Sequence, residues 1–132
     1  MAWETEQLRL DPAIIRPGVA AILRDPAKGA YYVAESGGAV VGQVMITYEW
    51  SDWRNGNFWW LQSVYVQEAC RARGIFKALF AHVVAQAALQ KDVIGLRLYM
   101  EADNHRARQV YQRLGLVQTH YQVFERIFPK SA

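Results

Sequence analysis

The chain has 132 residues, of which 52% are hydrophobic and 20% are charged, with a formal net charge of +3. That length suits one domain, the composition excludes a disordered chain, and the basic excess lacks the dense cationic stripe typical of nucleic-acid binding. One cysteine excludes an internal disulfide, and neither a leader-like start nor a long apolar run is present, so we expect a cytoplasmic protein that contacts no membrane.

The first predicted element is a helix. Asp11 followed by Pro12 is typical of an N-cap with a proline at the first helical position. Pro17 is expected to interrupt this helix or to begin a second one, because a proline inside a helix removes a backbone hydrogen bond.

Three strands are predicted next, because β-rich runs alternate with turn residues. The runs 30–36 and 39–49 flank a glycine pair, which predicts a hairpin. The run 58–66 is apolar enough to be buried on both faces of a sheet. The polar loop before it contains Asn55 and Gly56, a pair that favours a turn with positive φ.

The second half of the chain alternates helices and strands. Apolar residues recur at three- and four-residue spacing over 74–90, which predicts a long helix that packs on a sheet. A strand at 95–100 follows, and then a short helix that Asp103 or Asn104 caps and Gly115 ends.

The run 116–128 is predicted to be a closing strand. The resulting order indicates a mixed α/β fold, with a mostly antiparallel sheet and helices on both of its faces. Strands 58–66 and 95–100 form its parallel pair, because a helix connects them. A ligand crevice is expected at the carboxyl ends of these two strands.

Cations gather where the third strand meets the long helix, in the run "CRARGIFKALF". Arg71, Arg73 and Lys77 surround a helix start whose N–H groups and dipole already favour an anion. Gly74 lets the backbone approach a ligand closely. A phosphate site is one interpretation of this run, and a solvated arginine-rich loop is the other.

The short helix carries a second set of candidates. Asn104, Ala107 or Arg108, and Tyr111 recur at helical spacing and share one face, and Asn104 lies just past strand 95–100. A tyrosine hydroxyl can protonate a leaving group such as a thiolate. A core aromatic is the alternative explanation for a single tyrosine in such a helix.

Two runs, "VYVQEACRARGIFKAL" and later "LYMEADNHRARQVYQRLGL", together resemble the GCN5-related N-acetyltransferases (GNAT family). The resemblance covers roughly residues 19–127. The family's acetyl-CoA signature falls on residues 71–76, where Phe76 replaces a small residue. The resemblance implies that 1–132 is a single N-acetyltransferase domain, short at its N-terminus, with the first strand missing and the parallel strands splayed apart.

Acetyl-CoA is the implied acetyl donor. Its pantetheine arm would pair with the backbone of strand 58–66, and its pyrophosphate would bind the N–H groups at the helix start. Lys77, Arg106 or Arg108 would serve the 3′-phosphate, Asn104 would contact the arm, and Tyr111 would protonate the CoA thiolate. The implied cofactor residues are Val64, Tyr65, Val66, Arg71, Ala72, Arg73, Gly74, Ile75, Phe76, Lys77, Asn104, Ala107, Arg108 and Tyr111.

The implied reaction is direct attack of an amine on the thioester, which requires a base and no metal. Gln62 and Ser63 stand where many family members carry a carboxylate. Glu101 and Glu49, each at the end of a predicted strand, are the alternatives and would act through water. Each of them is otherwise an ordinary solvated carboxylate.

A small-molecule primary amine is the expected acceptor. An aromatic wall could hold its ammonium group, and Glu49 and Asp52 would attract its charge. The same aromatic residues could instead pack the sheet: Tyr48, Trp50, Trp53 and Trp59. A protein lysine or N-terminus is the competing acceptor, and a non-catalytic acyl-CoA sensor is the competing function.

Strand 30–36 is expected to be an open edge of the sheet. An open edge presents unpaired backbone groups. A partner chain would cover it and form a homodimer, or else the protein would be less stable than its relatives.

Overall fold

A computed structural model describes residues 11–71 and 73–130. A first unit ends at Tyr99 and a second begins at Met100. In the described part of the second unit there is one helix, α3 (His105–Arg113). The described residues of the first form two helices, four strands and a 3-10 turn: α1 (Pro12–Arg24), β1 (Ala30–Ser36), β2 (Ala39–Ser51), β3 (Gly56–Val66), the turn Glu68–Cys70, α2 (Ile75–Ala88) and β4 (Val93–Leu98). None of the helices described here has both the length and the apolar character that a bilayer crossing requires.

The four strands form one mixed sheet in the order β1-β2-β3-β4. The first three pair antiparallel, and β3 pairs parallel with β4. The predicted turn before β3 is present, and Asn55 in it adopts a positive φ of 51°. The predicted mixed α/β fold is therefore confirmed. Within the described residues β1 is an edge strand; whether a partner covers it stays a prediction, and the predicted short N-terminus lies outside those residues.

The core of the first unit lies between the sheet and α2. Ile46, Val44 and Val83 are the largest fully buried side chains, and they come from β2 and α2. Burying each such side chain contributes about 1.5–3 kcal/mol relative to leaving it exposed. This packing fixes α2 on one face of the sheet, and with it the turn that leads from β3 into the helix.

Helix α1 runs without interruption through Pro17, so the predicted break is wrong. The missing N–H of Pro17 leaves the carbonyl of Ala13 without its helical donor. Both residues are exposed, and water can satisfy that carbonyl. Asp11 is the N-cap as predicted, because its side chain accepts a hydrogen bond from the Ala13 N–H at 3.0 Å.

The predicted closing strand over 116–128 is also wrong, since this segment forms no ladder with any described strand. Its apolar residues recur as they do in a strand, but a strand also needs a neighbour for its N–H and C=O groups. Several of its apolar side chains are instead exposed: Val117, Tyr121, Val123, Phe124, Ile127 and Phe128.

Candidate functional site

Strands β3 and β4 are hydrogen-bonded over only part of their length. Their last register pair joins Leu61 to Leu98, and β4 ends there, two residues before the predicted end at residue 100. β3 continues to Val66, still paired with β2 on its other side. Of the strands described in the first unit, none pairs with the outer edge of residues 64–66. The predicted divergence of the parallel pair is present.

A β-bulge accounts for this divergence. The register of β2 against β3 shifts between Met45, which faces Ser63, and Ile46, which faces Leu61. Gln62 is therefore an extra residue in β3. A bulge bends its strand and increases the local twist. It lies at the point where β3 loses its ladder to β4, while Val64, Tyr65 and Val66 stay paired with β2.

The opposite end of the parallel pair is closed. The Asn57 N–H donates to the Asp92 carbonyl oxygen at 2.6 Å, and the Asn57 side-chain Nδ2 donates to Asp92 Oδ2 at 3.2 Å. Gly56 makes this approach possible, because a Cβ there would lie 2.5 Å from Ile94 Cγ2. The pair is thus fixed before β4 and opens toward the carboxyl ends of the strands.

The N-terminus of α2 faces solvent beside this opening. Gly74 is its N-cap, with a left-handed φ of 79°, and no described side chain caps the helix. Arg73, Gly74 and Lys77 are exposed, and the first turn contains no acidic residue. Uncapped N–H groups, the helix dipole and two nearby cations favour an anion here. The predicted site residue Ala72 lies outside the described part of the chain.

Arg71 is directed back toward β3. Its Nε donates to the Val66 carbonyl at 3.0 Å, and its guanidinium lies 5.8 Å from the centroid of the Tyr65 ring. Its N–H donates to the Glu68 carbonyl within the 3-10 turn at 3.3 Å. Arg71 therefore connects the 3-10 turn to the end of β3 through two hydrogen bonds. The sequence predicted only a contact of Arg71 with the cofactor.

Tight packing positions the start of α2. A Cβ at Gly42 would lie 2.9 Å from Ile75 Cγ2 and 3.3 Å from Leu79 Cδ1, so only a glycine in β2 allows the helix to come this close. The Phe76 ring lies against Phe80, with their centroids 6.1 Å apart. The side chain of Ile75 therefore lies against β2, and that of Phe76 lies against the next turn of α2. The backbone N–H groups of both residues belong to the first turn of the helix.

The second unit places its candidates on one face of α3. Asn104, Ala107, Arg108 and Tyr111 are all partly buried, whereas Glu101 is exposed. Asn104 is the N-cap, because its side-chain oxygen accepts from the Ala107 N–H at 3.0 Å. The shared face was predicted from spacing, and Asn104 is one of the two caps, with Asp103, that the sequence predicted.

Arg108 has partners inside the second unit. Its Nη1 donates to Gln118 Oε1 at 2.8 Å, and its Nη2 donates to the Ala102 carbonyl at 3.1 Å. These bonds hold the guanidinium across the start and the end of α3. If Arg108 bound the 3′-phosphate, its Nη1 and Nη2 groups would have to share their hydrogen bonds with that ligand. Arg106, the alternative candidate, is exposed to solvent.

A cluster around Glu49 lies on the sheet of the first unit. Glu49 Oε1 accepts from both Trp60 Nε1 and Arg97 Nη1, each at 2.9 Å. The Arg97 guanidinium carbon lies 3.7 Å from the Phe58 ring centroid. Tyr99 packs on Trp60, with their ring centroids 4.5 Å apart. Of this cluster, the sequence analysis named only Glu49 as a candidate. Because side chains alternate between the faces of a strand, the run "FWW" could also have placed Phe58 and Trp60 on one face of β3.

The predicted aromatic wall is not formed as one surface. Trp59 is 7% exposed and lies against Tyr48, with ring centroids 6.0 Å apart, so it belongs to the core. Burial raises the pKa of the Tyr48 hydroxyl, with a smaller contribution from Tyr32. Trp50 and Trp53 remain exposed at the β2–β3 turn. The aromatic residues near Glu49 are instead Phe58, Trp60 and Tyr99.

The sequence matches the model of the Acetyltransferase (GNAT) family over residues 2–116. A crystal structure described as a possible acetyltransferase from Clostridium difficile 630 is 42% identical, with a TM-score of 0.91, and the match covers 98% of this chain and 85% of that one. None of the curated proteins compared with this chain matches it.

Two more distant structures share the fold alone. A ribosomal-protein-alanine N-acetyltransferase from Brucella melitensis biovar Abortus 2308 is 22% identical, with a TM-score of 0.68 and coverage of 82% of this chain and 76% of that one. The aminoglycoside N-acetyltransferase AAC(6')-Iy, solved in complex with CoA, is also 22% identical, with a TM-score of 0.69 and coverage of 86% and 88%.

Proposed function

Because the chain belongs to the GNAT acetyltransferase family, we propose that it transfers an acetyl group from acetyl-CoA to a primary amine of a small molecule. The observation that carries this proposal is the stretch of β3 from residue 64 to Val66, which leaves β4 and leads toward the open N-terminus of α2. Among the described strands of the first unit, none pairs with one edge of that stretch, and the uncapped start of α2, which would suit a polyanion, follows closely in sequence.

The donor would bind along this edge. Amide groups of Val64, Tyr65 and Val66 would pair with the pantetheine arm as an added strand does. The amides of the α2 start would hold the pyrophosphate, with Lys77 and Arg73 adding charge. From the second unit, Asn104, Ala107 and Arg108 would contact the cofactor. The aminoglycoside acetyltransferase complex with CoA supports this donor by analogy of fold.

The chemistry would be a single displacement in a ternary complex. The amine nitrogen attacks the thioester carbonyl, the C–N bond forms, and the C–S bond then breaks. Alignment of the two reactants is the main contribution expected of the protein. Tyr111 would protonate the departing thiolate, and a water molecule held by Glu101 or Glu49 would accept the proton from the amine.

The Glu49 cluster supports a cationic acceptor. Its carboxylate is fixed by two donors that both bind Oε1, and its side chain remains 44% exposed. A carboxylate beside the rings of Phe58, Trp60 and Tyr99 suits the approach of an ammonium group. The aminoglycoside acetyltransferase, whose fold is similar, is consistent with an amine on a small molecule.

A protein N-terminus is the second candidate acceptor. The fold is also shared with a ribosomal-protein-alanine N-acetyltransferase, and Trp50 and Trp53 are exposed at the β2–β3 turn, where a polypeptide could pack. The small-molecule acceptor is preferred because the cluster around Glu49 is compact and held by hydrogen bonds.

An acceptor screen tests both candidates. The purified protein would be mixed with acetyl-CoA and with diamines, aminoglycosides, amino acids and peptides that begin with alanine. Thiol release and the mass of the acetylated product would be measured, and CoA binding would be measured separately by calorimetry. Acetylation of small amines supports the proposal, acetylation of peptides alone supports the second candidate, and CoA binding without turnover indicates a sensor. A chain that binds no CoA contradicts all three.

A further inference from the structure

The carboxylate of Glu49 has one oxygen to which none of the described residues donates a hydrogen bond. Trp60 Nε1 and Arg97 Nη1 both bind Oε1, each at 2.9 Å, which leaves Oε2 as the second acceptor. The side chain is 44% exposed, so a ligand can reach it. A carboxylate oxygen in this position suits an ammonium group, because a charge-assisted hydrogen bond is stronger than a neutral one.

The Glu49 cluster lies on the face of the sheet that is turned away from α2. Gly42, on β2, faces the helix, since a Cβ there would lie 2.9 Å from Ile75 Cγ2. Side chains alternate along a strand, and Glu49 lies an odd number of residues after Gly42, so it points to the opposite face. Trp60 points there too, because its indole reaches Glu49. Helix α2 therefore does not obstruct a ligand that binds the cluster.

Aromatic surface extends from Glu49 along β3. Trp60 packs on Tyr99, with their ring planes at 39°, and Tyr99 remains 58% exposed. The Phe58 ring already has a cation above it, because the Arg97 guanidinium carbon lies 3.7 Å from its centroid. Tyr99 and Trp60 thus offer apolar surface beside the carboxylate, which suits an alkyl stem.

Under the proposed function, the reacting amine lies further along the same strand. The pantetheine arm would follow residues 64–66, which places the thioester beside the bulge at Gln62, where the ladder to β4 ends. Glu49 faces Phe58 in the register, and Gln62 lies about 13 Å beyond Phe58 at roughly 3.3 Å per residue. Because the Glu49 carboxylate reaches toward Trp60, the gap from it to the reacting nitrogen is about 7–13 Å.

We propose that the acceptor carries a second positive charge, which Glu49 binds, and that Trp60 and Tyr99 contact the apolar stem between its two nitrogens. This inference rests on the proposed function and narrows the acceptor to unbranched amines with two cationic ends. In this role Glu49 binds the second charge rather than the proton of the reacting amine.

The gap sets the length of the stem. An ammonium nitrogen lies about 2.8 Å from a carboxylate oxygen, so about 4–10 Å remains between the two nitrogens, with a midpoint near 7 Å. An extended carbon chain advances about 1.25 Å per bond, because each bond is about 1.5 Å long and the chain zigzags. A stem of about five carbons therefore matches the midpoint.

A length series of α,ω-diamines tests the distance. With acetyl-CoA as donor, kcat/KM would be measured from 1,2-diaminoethane to 1,10-diaminodecane, and for the monoamines in which a methyl group replaces one amine. Hexylamine is the matched partner of 1,5-diaminopentane. We expect a maximum at about four to seven carbons, and a preference for 1,5-diaminopentane over hexylamine of about tenfold. A rate that rises steadily with length, or equal use of the matched pair, would overturn the proposal.

Glu49→Gln separates binding of the second charge from the reaction. It preserves the shape and removes the charge, so the preference for 1,5-diaminopentane over hexylamine is expected to disappear. Glu35→Gln removes an equal charge from an exposed position on β1 and should retain the preference. Tyr99→Ala removes the contact with the stem and should slow both amines alike. An equal loss with both amines in Glu49→Gln would assign Glu49 to the reaction itself and contradict the inference.

Failure of this inference differs from failure of the proposed function. A wild type that acetylates hexylamine as well as it acetylates the diamines refutes an acceptor with two charges and leaves acetyl transfer in place. A wild type that acetylates neither kind of amine, although calorimetry shows that it binds CoA, contradicts both.

Discussion

Arg97 on β4 donates to Glu49 on β2 at 2.9 Å, although β3 lies between their strands in the sheet. The pair therefore passes over β3, and the Phe58 ring lies beneath the guanidinium, 3.7 Å from it. Trp60, also on β3, donates to the same oxygen of Glu49. One carboxylate is thus fixed by residues from two other strands, which gives it a defined position on the surface of the sheet.

Substitution Glu49→Gln tests the assignment of this cluster to the acceptor. It removes the negative charge while preserving the shape, so we expect KM for a cationic amine to rise about tenfold, corresponding to about 1.4 kcal/mol. KM for acetyl-CoA should be unchanged. Initial rates with each substrate varied in turn would measure both constants.

Trp60→Phe is the matched control, since it removes one donor to Glu49 and retains the charge. A much smaller effect is expected. An equal rise in KM for acetyl-CoA would indicate that Glu49 acts on the fold or on the donor site. The ion pair itself is partly exposed, so its loss should lower the free energy of unfolding by no more than about 1 kcal/mol.

Tyr111→Phe tests the proposed acid. Loss of the hydroxyl removes a proton donor for the leaving thiolate, and kcat should fall by about 10–1000-fold, within the range typical of general acids. The affinity for CoA, measured by calorimetry, should change little. Tyr121→Phe removes a hydroxyl from the same unit and should leave kcat as it is. Unchanged turnover in Tyr111→Phe would exclude this residue from the mechanism.

Gly42→Ala tests whether packing beneath α2 positions the anion site. The added methyl would lie 2.9 Å from Ile75 Cγ2, so the Ile75 side chain or the start of α2 must shift to accommodate it. We expect a loss of about 1–3 kcal/mol in the free energy of unfolding, together with weaker CoA binding. Thermal unfolding and calorimetry measure the two effects.

Gly18→Ala is the control for that substitution. Gly18 lies inside α1, and its added methyl would meet nothing within 4 Å. A gain of about 0.5–1 kcal/mol is expected, because alanine favours a helix over glycine. If Gly42→Ala were as stable as the wild type and bound CoA normally, the close approach of α2 would not matter for the site.

Hydrogen exchange tests the observation on which the proposed function rests. Binding of CoA should slow amide exchange in residues 64–66 and in the first turn of α2, because both groups of amides gain acceptors. Pantetheine, which lacks the pyrophosphate, should protect residues 64–66 alone. Protection by CoA that is confined to α3, or that is absent from residues 64–66, would mean that the cofactor lies elsewhere.

Local signals in the sequence predicted much of the first unit. The glycine pair at Gly37 and Gly38 and the turn at Asn55 fix two hairpins through backbone conformations that few other residues adopt. The Asn104 cap is equally local. The bulge at Gln62 was not predicted, because an extra residue in a ladder becomes visible only when its partner strand is known.

Long-range partners account for what the sequence could not predict. Glu49 and Arg97 are 48 residues apart, and their contact depends on the register of three strands. Arg71 stands in a signature that favours phosphate contact, yet its guanidinium also has a nearby carbonyl at Val66. The segment 116–128 has the alternation of a strand, but alternation carries no information about where the neighbouring strand lies.

The bonds between Asn57 and Asp92 have a consequence for the choice of acyl donor. They close one end of the parallel pair, and after a register shift next to Asn57 the ladder runs from Phe58 and Gly95 to Leu61 and Leu98. A thioester that enters from the open end would meet this ladder at its acyl tip. Each carbon added to the acyl group of the proposed donor would bring that chain closer to the paired part of the strands, so we expect longer acyl donors to be used more slowly than acetyl-CoA.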